Sequence, residues 1–407
     1  MRKGIFLLNM VILVLFAFLS CKEDKVTKDR NTNSLSEGII EINYTDSGKI
    51  QTNKINPVIQ RIQRLKIPGL SIAVIDDYKI HETLAYGKRD SANEVNNTTL
   101  FQAASVSKYV TAVIVHHYIE KGLLDLDTDI NQYLKSWKIP INELTKDNPI
   151  TLRYLLTHQS GLPSTNFDYD KEKGMPTLSH VLGAESPAIN KPAVPEFIPG
   201  SSWSYSNIGY ALIQLILEDA TNNSFQNIAN EILFRPLKMN SSTFNYPLSN
   251  DFRDREAKPF NSAGQEKPPE LNSPAKAQGG LLTTPEDLAK LTVEIMRAYK
   301  GESIIFSKEL AHRLVTKELE LPFKFYKQTA YMGLGVLLIG ENEDLAFLHN
   351  GYNSPGSVCI VIGFPEIGKG AVIASNSANG EQLYLEVIAT LADKYFWPLG
   401  QFFKTKE

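Results

Sequence analysis

Ser105 and Lys108 stand three residues apart in "FQAASVSKYVTAVIVHHY", at the head of an otherwise apolar run. On a helix that spacing puts a hydroxyl and an amine on one side, one turn apart. The unpaired N–H groups and positive dipole end of the first turn would favour a serine alkoxide and a developing oxyanion. The dipole contributes about 2 kcal/mol at most, so a nucleophilic serine still needs a base. Lys108 can be that base only if burial lowers its pKa by several units from about 10.4, each unit being about 1.4 kcal/mol. Val110, Val113 and Ile114 could supply the dry setting. The competing reading is a serine N-cap and a solvated lysine, and this stretch alone favours it. About two S-x-x-K tetrads are expected by chance in such a chain. It holds two, the second, Ser273 and Lys276, in proline-bearing loop sequence.

Two further groups decide whether Ser105 has company. Tyr205-Ser206-Asn207 is the single Y-x-N, in a loop just before a helical run. Tyr205 could pass a proton to and from Ser105 while Asn207 bonds Lys108 and a substrate amide; Ser206 or Asn207 could equally cap the helix. His349-Asn350-Gly351 is the single H-x-G, directly after the apolar "LAFL", and no K-x-G occurs. Asn-Gly is a favoured hairpin turn, but Pro355 and Gly356 follow too soon to leave a tight hairpin much returning strand. Other histidines have plainer explanations. His116 and His117 are adjacent on a helix and cannot face one ion together, and His158 is expected to order the turn at Ser160-Gly161.

Hairpin and helix patterns place these groups. Asn56 as cap and Pro57 as first helical residue start a helix with Val58, Ile59, Ile62 and Leu65 on one face. "GLSIAVI", a turn at Asp76-Asp77 and "KIHETLAYG" read as a β-hairpin. Helices are expected at 105–121, 151–158, 208–221, 225–234 and, capped by Thr284 with Pro285 first, from 285 onward. Strand patterns return at "YMGLGVLLIG", "LAFLH", "SVCIVIGF" and "GAVIASN", before a final amphipathic helix over 381–395. Cys359 lies in an apolar run and reads as a buried strand residue rather than a nucleophile. Strands at both ends with a helical middle imply an α+β fold: an antiparallel sheet from both chain ends over 56–104 and 277–407, flanked by helices, with a mostly helical subdomain over 105–276. The cleft between them is the natural site. Loops at 161–176 and around 247–274 are expected to line or cover it.

Composition narrows the chemistry. The 407 residues are 43% apolar and 10% aromatic, enough for a large core, and the formal charge of −3 offers no basic surface for nucleic acid. A small-molecule or peptide substrate is the better expectation. At the N-terminus, Arg2 and Lys3 precede an apolar run of about fifteen residues, then Ser20 and Cys21. This reads as a secretory signal over 1–20, too short for a span of about twenty residues. The polar stretch at 21–55 reads as a flexible tether.

In order, Ser105-x-x-Lys108, Tyr205-x-Asn207 and His349-x-Gly351 resemble the β-lactamase-related serine hydrolases: class C β-lactamases, penicillin-binding D-alanyl-D-alanine carboxypeptidases, D-aminopeptidases and β-lactamase-like esterases. "ITLRYLLTHQSGLP", "FRPLKMNSSTF", "AQGGLLTTPEDLAKL" and "HNGYNSPG" are similar to that family's connecting segments. The resemblance implies a β-lactamase/transpeptidase-like fold, an acyl-enzyme at Ser105, base and acid roles shared by Lys108 and Tyr205, and positioning by Asn207. It implies an oxyanion hole from the N–H groups of Ser105 and Tyr352, with His349 and Gly351 on the substrate strand, and no metal or other cofactor. Gly279 and Gly280 are expected to let the chain pass close to the sheet; Gln278 has no assigned role. A histidine replaces the usual lysine, and a neutral imidazole holds a carboxylate less firmly than a permanent cation. The expectation is therefore a peptidase-like or esterase-like hydrolase of an amide or ester. A genuine β-lactamase and a catalytically silent binding or sensing module stay open. "FLSC" resembles a lipobox, which implies a lipid on Cys21 and an exported protein anchored at the membrane through that lipid alone.

Overall fold

The computed structural model describes residues 33–44, 50–269, 273–325 and 328–399, with the backbone alone for 43–44 and 50–56. The expected signal segment, Cys21 and the start of the tether lie outside these residues. The described strands are β1 (Ile39–Tyr44), β2 (Ile50–Asn56), β3 (Gly69–Asp76), β4 (Lys79–Gly87), β5 (Phe101–Gln102), β6 (Leu282–Thr283), β7 (Leu319–Phe325), β8 (Gln328–Met332), β9 (Leu337–Ile339), β10 (Ala346–Asn353), β11 (Ser357–Phe364) and β12 (Lys369–Ser375). The described α-helices are α1 (Val58–Arg64), α2 (Val106–Glu120), α3 (Leu152–Leu156), α4 (Leu178–Gly183), α5 (Asn207–Thr221), α6 (Phe225–Ala229), α7 (Asn250–Arg253), α8 (Pro285–Lys300), α9 (Lys308–Leu314) and α10 (Gly380–Lys394).

Eight strands form one antiparallel sheet in the order β4-β3-β12-β11-β10-β9-β8-β7. Its members come from both ends of the chain with most of the helices between, an α+β arrangement. Both faces of the central strands β3, β11 and β12 are dry. Along β3, Leu70, Ile72 and Val74 join the core on one side, and Ala73 and Ile75 the core on the other. β11 divides likewise, Val358, Ile360 and Ile362 against Cys359 and Val361. Burial on both sides is why these strands read as unbroken apolar runs. Helices α1 and α10 cover the first face, α8 and α2 the second. Residues from 34 onward form one compact unit. The α2-side core takes Val361 from the sheet and Leu156 and Ile213 from the helical segment, so the two expected subdomains share a core.

Several elements differ from the sequence reading. The tether ends earlier than residue 55: β1 and β2 pair as a hairpin, and Leu35, Ile39 and Ile42 are buried with α10. A register shift between Ile39 and Glu41 breaks the alternation that would have announced β1. Asn56 therefore ends a strand instead of capping α1, Pro57 takes the cap position, and Ile59 is exposed. "YMGLGVLLIG" is two strands, because the chain turns at Gly333 to Val336. A Cβ on Gly335 would fall 2.2 Å from that of Ala112, so only glycine lets this turn pack on α2. β7 was not expected, since Pro322 interrupts its pattern; proline is tolerated here because β7 is the edge strand. The β3–β4 turn falls at Asp77 and Tyr78, both with φ of 54°, one residue later than expected. The helix expected over 225–234 changes at Asn230 into a π-helical turn, Asn230–Phe234.

A buried ion pair fastens the α1/α10 side. Arg61 donates from Nε to Glu386 at 2.7 Å and from its terminal nitrogen at 2.5 Å. Glu386 is wholly buried and also accepts from Ile42 N–H at 3.2 Å and Gln382 at 2.8 Å. Glu386→Ala leaves the guanidinium without its main partner, so it should lower unfolding free energy by about 3–5 kcal/mol in a denaturant titration. Asp77→Asn, at the exposed pair with Lys79, should leave the midpoint unchanged.

Candidate active site

Ser105 sits where β5 turns into α2. Ala104 makes the turn with φ of 48°, a left-handed conformation that costs a non-glycine residue about 1–3 kcal/mol. Ser105 occupies the cap position of α2, but its side chain makes no capping bond. Instead Tyr205 donates to Ser105 Oγ at 2.8 Å, and Lys108 Nζ lies 3.0 Å from the same oxygen. Lys108 is completely buried, as is every residue of α2 from Val106 to His116. A helix that is apolar nearly all round is an interior helix, and this is what dries the lysine. Burial holds its amine well below the ordinary value of 10.5. Burial also pushes Tyr205 up to about 12, against the lowering effect of its bond to Ser105.

Tyr205 is placed by His158. Ser206 N–H donates to His158 Nδ1 at 3.2 Å, and Ser204 N–H donates to the His158 carbonyl at 2.9 Å, so the histidine grips the chain on both sides of the tyrosine. Its ring lies on the phenol, with centroids 4.4 Å apart. This replaces the expected role at Ser160-Gly161. Ser206, not Asn207, caps α5, accepting from Gly209 N–H at 3.2 Å.

Lys108 has a second partner that motif spacing did not reveal. Its Nζ donates to the carbonyl of Gln278 at 2.6 Å. The turn around Gln278 is held by side chains from three elements. Gln214 of α5 accepts from the N–H groups of Lys276 and Ala277 at 2.7 and 3.1 Å. Thr111 and Ser107 of α2 bond Ala277 O and Leu281 N at 2.9 and 3.1 Å. Asn353 at the end of β10 donates to Gly279 O at 3.2 Å. A backbone carbonyl carries no residue signature, so only the unassigned Gln278 beside Gly279-Gly280 marked the place. The expected Asn207–Lys108 bond is not formed: Asn207 Oδ1 is buried without a partner at the rim of the cleft. The glycines also differ from expectation. A Cβ on Gly280 would press on Lys276 at 3.0 Å, whereas Gly279 has ordinary room at 3.7 Å.

β10 closes the site. Its alternation sends Ala346 and Leu348 toward α10 and Phe347, His349 and Gly351 toward α2. A Cβ on Gly351 would stand 2.5 Å from Ser105 N and 2.7 Å from Ala103 O, so glycine is required for this approach. β9 pairs only as far as Leu348, leaving the strand edge from His349 to Asn353 open on that side, with Tyr352 next to Gly351. His349 is buried, and its Nδ1 lies 2.8 Å from the Asn350 carbonyl, which can only accept. The proton is therefore on Nδ1, Nε2 presents a lone pair, and burial holds the imidazole down to about 3. Cys359, opposite Gly351 in β11, is buried with its thiol pushed up to about 12. Two lobes meet at Ser105. One, of about 400 Å³, includes Asn166, Asp168, Gln278 and Asn353; the other, of about 350 Å³, includes Tyr205, His349 and Trp203. The 161–176 loop lines the first lobe through Asn166 to Asp168, while from the second expected loop only Ser273 reaches it.

The family model described as Beta-lactamase matches residues 56–393. The chain belongs to the β-lactamase family. It is 27% identical over 241 residues to Protein flp of Staphylococcus aureus strain MW2, covering 58% of this chain and 47% of that protein. It is 28% identical over 225 residues to N-acetylmuramyl-L-alanine amidase of Bacillus subtilis strain 168, covering 52% and 51%. The chain thus spans about half the length of these curated relatives. Among solved structures, the octameric penicillin-binding protein homologue from Pyrococcus abyssi superposes with a TM-score of 0.70 at 21% identity, covering 84% of this chain and 77% of that one. The D-amino acid amidase from Ochrobactrum anthropi superposes with 0.63 at 23%, covering 83% and 96%. These likenesses establish the β-lactamase/transpeptidase-like fold.

Within this β-lactamase-family cleft the two glycines make a paired test. Gly351→Ala forces β10 away from Ser105 and should cost about 1–3 kcal/mol of stability; Gly279→Ala should be tolerated. Thermal melts of both variants check the difference, and equal melts would remove the close approach assigned to Gly351.

Proposed function

We propose that the protein is a serine hydrolase that cleaves an amide or ester through an acyl-enzyme at Ser105. The observation that carries this is the convergence of a desolvated amine and a phenol on one hydroxyl oxygen. With Lys108 neutral, the hydrogen bonds run in one direction: Tyr205 O–H to Ser105 Oγ, Ser105 O–H to the Lys108 lone pair, and a Lys108 N–H to the Gln278 carbonyl. Lys108 takes the serine proton as Oγ attacks the substrate carbonyl carbon. The negative oxygen then faces the N–H groups of Ser105 and Tyr352, donors of a kind worth about 3–4 kcal/mol each in such transition states. When the tetrahedral adduct collapses, Tyr205 gives its proton to the leaving atom and receives in its place the proton that Lys108 took from Ser105. Water then repeats the sequence on the ester, releasing the acid and restoring the hydroxyl. Tyr205 is a poor candidate for the first base, because its pKa near 12 keeps it protonated and the neighbouring His349 is uncharged.

The names of two relatives, an N-acetylmuramyl-L-alanine amidase and a D-amino acid amidase, support amide chemistry. The neutral imidazole where a lysine is usual supports peptidase-like or esterase-like specificity over efficient β-lactam hydrolysis.

Mass spectrometry after fluorophosphonate treatment should find the adduct on Ser105 and none in Ser105→Ala; labelling elsewhere, or of both proteins, would sink the assignment. Lys108→Ala and Tyr205→Phe should each slow turnover of a p-nitrophenyl ester about 10²- to 10⁴-fold while the fold is retained. The pH profile follows from the base. Lys108 must be unprotonated, so kcat/KM should rise with pH through a value below 10.5 and not fall again before Tyr205 titrates near 12. A descending limb between pH 8 and 10 would mean that a group other than Tyr205 has to stay protonated there, and would overturn the assigned acid.

A further inference from the structure

The two lobes at Ser105 differ in chemistry, and the proton donor says which side the leaving group takes. A general acid must lie within hydrogen-bond reach of the atom it protonates. Tyr205 forms part of the wall of the smaller lobe and is not among the residues lining the other. The leaving group therefore sits in the smaller lobe and the acyl group in the polar one, with Asn166, Asp168, Gln278 and Asn353. The smaller lobe is walled by Trp203, Phe323, Met332 and Leu337, and Trp203 meets Phe323 edge-to-face with centroids 5.7 Å apart. Among the described residues no lysine or arginine lines it. The nearby Lys108 amine is committed to Ser105 and Gln278, and His349 offers an acceptor rather than a cation.

Resting on the serine-hydrolase reading above, we propose that the leaving group is an uncharged apolar or aromatic alcohol or amine packed against Trp203 and Phe323, and not a carboxylate-bearing amino acid. A carboxylate there would lose its water without gaining a positive partner. A flat ring gains contact with two aromatic side chains, and an N–H or O–H on the departing group finds the His349 Nε2 lone pair. Hydrolysis itself is balanced by the proposed steps: the C–O or C–N bond to the leaving group breaks, the proton from Tyr205 goes to that atom, and water supplies the hydroxyl of the released acid.

The test uses matched acetate esters, 2-naphthyl acetate and 6-acetoxy-2-naphthoate, whose reacting ends are alike and which differ by one distal carboxylate. Wild-type protein should favour the uncharged ester in kcat/KM by about tenfold or more. Phe323→Ala should erode that preference from the naphthyl side, and His349→Lys should narrow it by improving the carboxylate ester. Equal or faster turnover of the carboxylate ester by the wild type would overturn the proposal. Binding of the corresponding naphthols to Ser105→Ala, by calorimetry, separates the two levels of inference. If the wild type cleaves neither ester but 2-naphthol binds tighter than 6-hydroxy-2-naphthoate, the serine-hydrolase reading fails and the pocket assignment stands. If the naphthoate binds as tightly or tighter, the pocket assignment fails whatever the turnover.

Discussion

One buried amine organises this molecule. Lys108 lies in the first turn of a helix whose surroundings exclude water, and among the described residues its amine hydrogen-bonds a serine hydroxyl and a backbone carbonyl. Desolvation makes the neutral form the favoured one. Between the lowered folded value and the ordinary one, the unfolded chain binds a proton at this lysine that the folded chain does not, so the group opposes folding. The sign is that of a depressed lysine: the penalty vanishes above the unfolded value and is complete below the folded one. A fold that keeps such a residue in place carries strain beside the candidate nucleophile, and Ala104, in a left-handed conformation next to Ser105, is a second instance in the same turn.

The rest of the architecture can be understood as what keeps that amine dry and aimed. Helix α2 is enclosed by sheet on one side and by α5 and α9 on others. The stretch carrying Gln278 has no regular structure of its own and is fixed by side chains of Gln214, Ser107, Thr111 and Asn353. His158 performs the equivalent service for Tyr205. Each reacting group is thus set by partners on an element other than its own, which makes the geometry a property of the packed unit.

Much of this was legible beforehand. The unbroken apolar runs of β3, β11 and β12 and the Thr284-Pro285 start of α8 read correctly, because each is announced by local residue types, and the structure brings Ser105, Lys108 and Tyr205 of the motifs together. What escaped were features where local signals conflict or vanish. β7 hid behind Pro322, which an edge strand tolerates and a central strand would not. The β1–β2 hairpin hid in a polar stretch in which Ile39 and Ile42 find burial only because α10 lies against them. The Gln278 carbonyl could not be seen at all, since every residue has one.

The amino-acid sequence by itself determined which groups were available: a serine and lysine one helical turn apart, a tyrosine before a capped helix, a histidine in place of a cation, and apolar patterns sufficient to specify the sheet. Tertiary structure decided their states. Ser105 became a candidate nucleophile rather than a cap because Tyr205, a hundred residues away, points at it. Lys108 became a candidate base rather than a surface cation because side chains distant in sequence remove its water. Protonation and direction depend on what surrounds a group in space, and no spacing along the chain encodes the dielectric around an amine.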